Sequence, residues 1–564
     1  MDYTSYPLGS KLINTLKMKK ALFTFIILMC VLASQAQYIH NNGAHITSTS
    51  GSYWVIDNSN FSLTSESSAA PTNLANLKIE GDASLTISPK SYLTVTGTLI
   101  NNAGNSGLVI QSNAESTASL IHASANVSAT VSRYLPGVSQ SWHLLSSPMV
   151  AQPIDPAFTA NPATAYDFFS WYEPAVTWVN FKNTSASPTW NTANGSTNML
   201  PGKGYLVEYD GTPLTKLFGG SLNEGEVSIA LTKSGSGTYS SYNLAGNPFA
   251  SAIDWKAASG WDRSSLTESG GGYVMSIWND ALSTGNYGEF NSAAFSGTGT
   301  NGASQYIPVG QGFMVKANSS GTLTMNNEVR VHSNQAYLKS TDAVANILRM
   351  KVSGDANTYS DEIIIEFGHQ APDGGAEKMN SFYEAAPSLY TIKPDGNYSI
   401  DFRGEAVAAT IPIGFKAGVD GKYSITASQL ESFAPATAIT LEDLKLATTQ
   451  NLSQNPVYNF VAEKNDNSAR FLLHFGSAFG MEEDPKDLPF TVYSSGNTVY
   501  IANASASLIQ GHIYVYSTLG QTVLQEKIAG GNLTTISLNV SAGYYLVKVV
   551  TDADVYTTKV FISR

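Results

Sequence analysis

Trp171 stands two residues before Glu173, and Trp278 two residues before Asp280. Two carboxylates that meet across a glycosidic bond can hydrolyse it, one as acid and the other as base or nucleophile, and such acids can be distant in sequence. Indole rings add the apolar platform on which a pyranose stacks. Without hydrolysis the same residue types make a sugar-binding face, and Trp171, Trp178, Trp190 and Trp278 are the candidates for it, with Trp255 and Trp261 in the same region. Trp178 and Trp190, inside TWVNFKNTSASPTW, are expected to be the more exposed. A plainer reading is that Trp142, Trp171 and Trp278 fill cores. It carries more weight, because Trp171 and Trp278 occupy matched positions in a repeat. The repeat also weighs against catalysis, since an enzyme seldom needs the same acid twice in equivalent places.

No other constellation points to an enzyme. There is no Gly-x-Ser-x-Gly elbow and no His-Glu-x-x-His helix, and the only cysteine, Cys30, lies in the leader, so no thiol nucleophile remains. The eight His are scattered; His143 and His474 sit in strand-like apolar runs and read as hydrogen-bonded core residues. SGDANTYSDE gathers Asp355, Asn357, Asp361 and Glu362, oxygen ligands that could hold Ca²⁺. The glycine spacing and closing bidentate Glu of a calcium loop are missing, so a polar turn is favoured. No catalytic residue, metal ligand or cofactor is assigned.

The elements that must position the aromatic residues come in two copies. WHLLSSP (Trp142–Pro148) aligns with YNLAGNP (Tyr242–Pro248), YDFFSWYE (Tyr166–Glu173) with YVMSIWND (Tyr273–Asp280), and LPGKGYLVEYDGT (Leu200–Thr212) with IPVGQGFMVKANSSGT (Ile307–Thr322). Three matches in one order indicate a tandem duplication. The Gly-x-Gly before YLV and FMV suits a tight turn feeding a strand; without a following helix it is no phosphate loop.

Other segments set the frame. KMKKALFTFIILMCVLASQAQ has a basic n-region, a short apolar run and small residues at a cleavage site after Ala36, the pattern of a secretory signal peptide with Met18 the better-placed start. The formal net charge is −12, and removing the leader's four Lys and one Asp takes it to −15. An acidic chain without basic clusters argues against nucleic acid or anionic lipid as a partner. Gly, Ser, Thr and Asn are abundant, and a helical apolar period is nearly absent, with Ala427–Phe433 and Leu441–Leu446 the best short exceptions. The expected fold class is all-β and multi-domain. Residues 38–130 carry LKI, LTI and LTV every eight residues (Leu77–Ile79, Leu85–Ile87, Leu93–Val95), a ladder that stacks as a β-solenoid or folds as a meander, the solenoid being favoured. Residues 133–335 hold the duplication, 343–480 read as a β-sandwich, 481–487 as a linker, and 488–564 as a compact C-terminal unit.

That last unit reads as an immunoglobulin-like sandwich. Its strands resemble the type A C-terminal sorting domain of the Bacteroidetes type IX secretion system. The residues that carry the resemblance are Leu519-Gly520-Gln521, Gly543-Tyr544-Tyr545 and Lys559, together with Val515–Tyr516, Val547, Val549 and Val560; the Pro-Asn-Pro opening frequent in that family is replaced by LPFTVYSSGN. The resemblance implies an outer-membrane secretion machinery as partner and a secreted or outer-surface location; the leader's apolar run is too short to span a bilayer, so no membrane-spanning segment is expected after its removal. The whole reads as a structural or adhesin-like exported protein. A glycan or a host or neighbouring-cell surface ligand is the expected contact.

Overall fold

The computed structural model describes residues 37–38, 51–64, 71–136, 141–159, 166–185, 187–210, 213–235, 237, 239–279, 285–333, 346–371, 374–404, 410–434, 437–475, 490–503, 511–517, 521–528, 533–551 and 555–562. The leader, the linker at 481–487, Asp280, Leu519 and Gly520 lie outside these. The chain is all-β. The α-helix among the described residues is one turn, Trp190–Asn194, and no described helix is long and apolar enough to cross a membrane. The two segments with a short helical period form a strand end with a 3₁₀ turn (Leu430–Ser432) and the strand Ile439–Asp443; alternation across a sheet won over period 3.6.

The first unit is a solenoid. Ser52–Asp57, Thr72–Glu80, Tyr92–Val95 and Ser119–Ile121 pair in parallel as one sheet. Asn60–Leu63, Ser84–Ile87, Leu108–Ile110 and Ser128–Leu135 pair in parallel as the other. A meander would pair antiparallel. The eight-residue triplets therefore alternate between sheets: Leu77 and Ile79 lie on one, Leu85 and Ile87 on the other, Leu93 and Val95 back on the first. One coil separates Leu85 from its stacked partner Leu108. All these side chains point between the sheets and are at most 2% exposed.

A solenoid exposes its last coil unless something covers it. Here residues from the second repeat do so. Leu120 N–H donates to Ala250 O (2.8 Å). The buried Arg330 guanidinium lies on the Phe249 ring and donates to the His122 and Leu120 carbonyls (2.5 and 2.9 Å). His332 bonds Thr94 and Ser119 and stacks on Tyr92.

The duplication is visible strand by strand. In the first copy the order is Trp142–Ser146, Gly204–Tyr209, Tyr166–Tyr172, Thr177–Asn180; in the second it is Tyr242–Gly246, Gly312–Lys316, Gly272–Asn279, with Asn286–Asn291 on the same strand. Register matches as well: Phe169 faces Leu206 where Ser276 faces Met314, and Trp171 faces Trp178 where Trp278 faces Tyr287. Each copy is closed by an antiparallel pair, Ser128–Leu135 with Leu214–Ser221 and Val227–Leu231 with Gly321–Met325.

The copies join through a pseudo-two-fold contact. Leu145 bridges Gln311 and Ala245 bridges Lys203, which are equivalent positions exchanged. Likewise Ser146 N–H donates to Gly310 O and Gly246 N–H to Gly202 O. Such self-complementary exchange is the signature of an isologous interface. It explains the Gly-x-Gly. Gly202 and Gly310 turn the chain at φ +74 and +67. Gly204 and Gly312 serve close approach instead: a Cβ on Gly204 would sit 2.4 Å from Ala245 O.

The third region is one sheet of eleven strands, antiparallel except where Ser360–Phe367 pairs with Gly396–Arg403. Its ends meet, since Gln450 donates to Val457 O and Thr448 bonds Tyr458 OH, so the sheet wraps sandwich-like on its own core. Packing crosses the composition boundaries. One core runs from Trp54 to Val309 through solenoid and first copy, and another joins the second copy to Ile347, Ile364, Ile400 and Phe402. The C-terminal unit packs a three-stranded sheet on a four-stranded one, antiparallel throughout, around Val499, Ile513, Val547 and Val549.

Candidate functional site

The predicted aromatic residues fall in two places. Trp142, Trp171, Trp178 and Trp278 converge at the seam between the copies with the matched pairs Leu144 and Leu244, Leu206 and Met314. Trp171 and Trp178 meet edge to face at 5.0 Å, and Trp171 Nε1 donates across the seam to Tyr242 O (2.6 Å). A third element, around Met379–Tyr383, inserts between them. The Phe382 ring lies 4.5 Å from Trp278, 5.5 Å from Tyr287, 6.2 Å from Trp178 and 6.5 Å from Trp142. These rings hold three chain segments together.

Trp190 is elsewhere and the expectation of exposure is overturned: it is 5% exposed. It opens the single helical turn capped by Thr189, packs on Phe168, Phe181 and Tyr205, and donates Nε1–H to Ser196 O. Trp178 is half-buried beneath Phe382. Trp255 is fully buried and Trp261 packs edge to face against it.

Glu173 is not poised as an acid catalyst. It is 2% exposed and accepts Ser234 N–H, Ser241 N–H (both 2.8 Å) and Ser234 Oγ–H (3.0 Å). Burial opposes its charge, yet these hydrogen bonds outweigh burial and hold the pKa below the usual carboxylate value. A general acid needs the opposite shift. The side chain fastens the connector between the copies to the first copy; its proposed partner Asp280 lies outside the described residues.

The acidic segment 353–362 also disperses into structure. Asp355 accepts Lys422 N–H, Asn357 bonds Tyr359 N and Ala385 O, and Glu362 pairs with Arg349 at 2.7 Å. Asp361 is fully buried and pairs with Lys378 at 2.6 Å, while accepting from Asn301 and from Leu389 N–H. Burial alone would depress Lys378, but Asp361 and Glu289 raise it; burial pushes Glu289 up. This network welds the second copy to the third region. Among the described residues no three His, Cys, Asp or Glu converge as a metal site. His474 bonds Thr410 and Glu442, whereas half-buried His143 leaves its buried Nε2 without a partner and its pKa falls to about 4 through desolvation and the nearby Arg133 charge.

One cavity of about 430 Å³ opens between the second copy and the third region. Tyr242 and Tyr398 flank it, with Glu268, Asp395 and the Lys316–Glu377 ion pair (2.7 Å) at its rim. No sequence signal marked it, because its walls lie on strands more than a hundred residues apart.

In the C-terminal unit the motif residues split by face. Gln521 closes its hairpin by accepting Ser517 N–H (2.8 Å). Gly543 begins the strand Gly543–Thr551, Tyr545 turns inward and donates to Ser541 O, and Tyr544 turns outward under the Lys559 ammonium, 3.9 Å from the ring centroid.

Residues 47–475, most of the chain, match the family described as a domain of unknown function (DUF8693), and the chain belongs to that family. Residues 495–563 match a secretion system C-terminal sorting domain, so this is a secreted or cell-surface protein with a type IX sorting domain at its C-terminal end. Among characterised proteins it is similar to the minor fimbrium subunit Mfa5 of Porphyromonas gingivalis, 23% identical over 503 residues that cover 82% of this chain and 39% of that protein. The chain thus spans well under half of that relative's length. Solved structures with a remote similarity include two that cover most of this chain. They are a β-glucuronidase of Faecalibacterium prausnitzii (10% identity, 76% of this chain and 47% of that one, TM-score 0.11) and the BSP domain of a biofilm associated protein (7%, 77% and 96%, TM-score 0.14). Scores this low carry no argument about function.

Proposed function

We propose that the chain is a structural, adhesin-like building block of the bacterial surface, delivered there by its C-terminal domain. The observation that carries this is how residues 51–475 use their chemistry. The tryptophans, Glu173 and the acidic segment are all engaged in joining one segment to the next, as expected of a body built to be rigid. The similarity to a fimbrium subunit supports the same reading. Cells producing the full chain should attach to a surface or to one another more than cells producing leader and sorting domain alone. Equal attachment would refute the adhesive role. A second reading is favoured by the cavity beside Tyr242 and Tyr398, whose aromatic walls and carboxylate rim suit a polyhydroxylated ligand such as a glycan. Loss of glycan-array binding on Tyr398→Ala would support it, and an array without binding would end it.

A further inference from the structure

The sorting domain has two outward faces, and the rest of the chain covers one of them. Its three-stranded sheet places Tyr493 and Tyr500, stacked at 5.0 Å, with Ala502 against Leu472 of the third region, all buried. Arg403 adds a hydrogen bond to Ser495 Oγ (2.9 Å). The four-stranded sheet lies across the core from this contact. Its inward residues Ile513, Val515, Val547, Val549, Val560 and Ile562 are at most 4% exposed.

Outward positions on such a sheet are ordinarily polar. Here they are Tyr514 and Tyr516, then Tyr544 and Leu546, then Phe561. Register sets Tyr516 beside Leu546 and Tyr544 beside Phe561, and Tyr544, Leu546 and Phe561 are 53, 38 and 39% exposed. The face is also basic. Lys527 stands opposite His512, Lys548 beside Tyr514 and Lys559 beside Leu546. Glu526 is in register with the inward Ile513, so no carboxylate of the described strands shares the face. On a chain of net charge −12, this is a local reversal of sign. Adjoining exposed apolar side chains mark an interaction surface, and aromatic anchors ringed by charge are the make-up of protein interfaces.

We propose that this face, with Tyr514, Tyr516, Tyr544, Leu546 and Phe561 at its centre and Lys527, Lys548 and Lys559 at its rim, docks the sorting domain onto an acidic protein surface of the secretion machinery. The proposal rests on the C-terminal domain being the transport address. Charge complementarity steers the encounter, and the aromatic side chains fill pockets once docked.

The test uses the full chain in producing cells, with Tyr544→Ser/Phe561→Ser and, separately, Lys548→Glu/Lys559→Glu. The protease-accessible surface pool is read by mass spectrometry, and hydrogen exchange of the core strands reports folding. Each pair should cut the surface pool by about tenfold or more, with periplasmic accumulation, a loss equal to one anchor contact. If the serine pair loosens exchange in the core strands, the charge reversals decide, since they leave the inward core residues untouched and give up only the exposed contact of Lys559 with the Tyr544 ring. Deleting 490–564 separates the two claims. Undiminished export of that deletion refutes the address itself, whereas blocked deletion with normal export of both folded variants overturns the docking face alone. Binding of the purified chain, but not of its variants, to protein-free vesicles containing anionic phospholipid would also overturn it, in favour of a membrane surface.

Discussion

Phe382 is the residue on which the aromatic seam turns, and Phe382→Ala is the sharpest test of the view that the tryptophans are structural. Its ring touches Trp142 and Trp178 of the first copy and Trp278 and Tyr287 of the second. Truncating a packed Phe costs about 3–5 kcal/mol, and Phe382 is only half-buried, so about 2–3 kcal/mol is expected. Four aromatic contacts at roughly 0.5–1.5 kcal/mol each are of the same order. The assay is native-state hydrogen exchange on the mature chain. Strands Trp142–Ser146 and Gly272–Asn279 meet at this seam, and their protection should fall by roughly 30- to 150-fold, since about 1.4 kcal/mol is tenfold. Val461→Ala, on a side chain 59% exposed, should change nothing. Unchanged protection in both seam strands would refute the claim that Phe382 locks the copies together.

Glu173→Gln should destabilise by about 1–3 kcal/mol at neutral pH, because an amide replaces a carboxylate that accepts two backbone N–H groups. Its folded pKa is lowered, so the stabilisation is present above the unfolded value of 4.5 and fades as pH falls through the folded one; urea midpoints of both proteins should converge in that acid range. His122 is buried and His143 and His332 are half-buried, and loss of hydration holds all three neutral, with pKa values depressed to about 3, 4 and 4. The unfolded chain binds those protons first, so stability should drop as pH falls below 6.5, by about 1–2 kcal/mol per His near pH 5, and a chain with His143→Gln and His332→Asn should show a shallower drop in thermal unfolding. Gly246→Ala puts a Cβ 2.3 Å from Ser146 Cβ across the copies, so a loss of about 2–3 kcal/mol in denaturant unfolding is expected, whereas Gly225→Ala, with open space but φ +69, should cost less.

The duplication was legible because turn and strand residues recur in order, and recurrence needs no knowledge of contacts. The matched positions of Trp171 and Trp278 already pointed to a core, and they do share one. Exposure of Trp190 was misjudged because its covers, Phe168 and Tyr205, sit on other strands, and a polar loop composition gives no hint of them. Phe382 could not be foreseen as the lid over Trp178, since it arrives from beyond the second copy. The period-eight triplets marked solenoid strands but not their sheets, because side-chain alternation is the same in both. Arg330 carried no sequence signal, because its acceptors are carbonyls in the last solenoid coil, 208 and 210 residues away. The sorting domain was the most legible part, as its motif lies on turns and strands local in sequence.

The central claim is that residues 51–475 are a surface component and that the C-terminal domain carries them outward. Fractionation of cells producing the full chain or one ending at Phe475, with both followed by mass spectrometry through periplasm, surface and medium, tests it most directly. The full form is expected at the surface or in the medium and the truncated form, folded, in the periplasm. Both forms reaching the surface alike would contradict it.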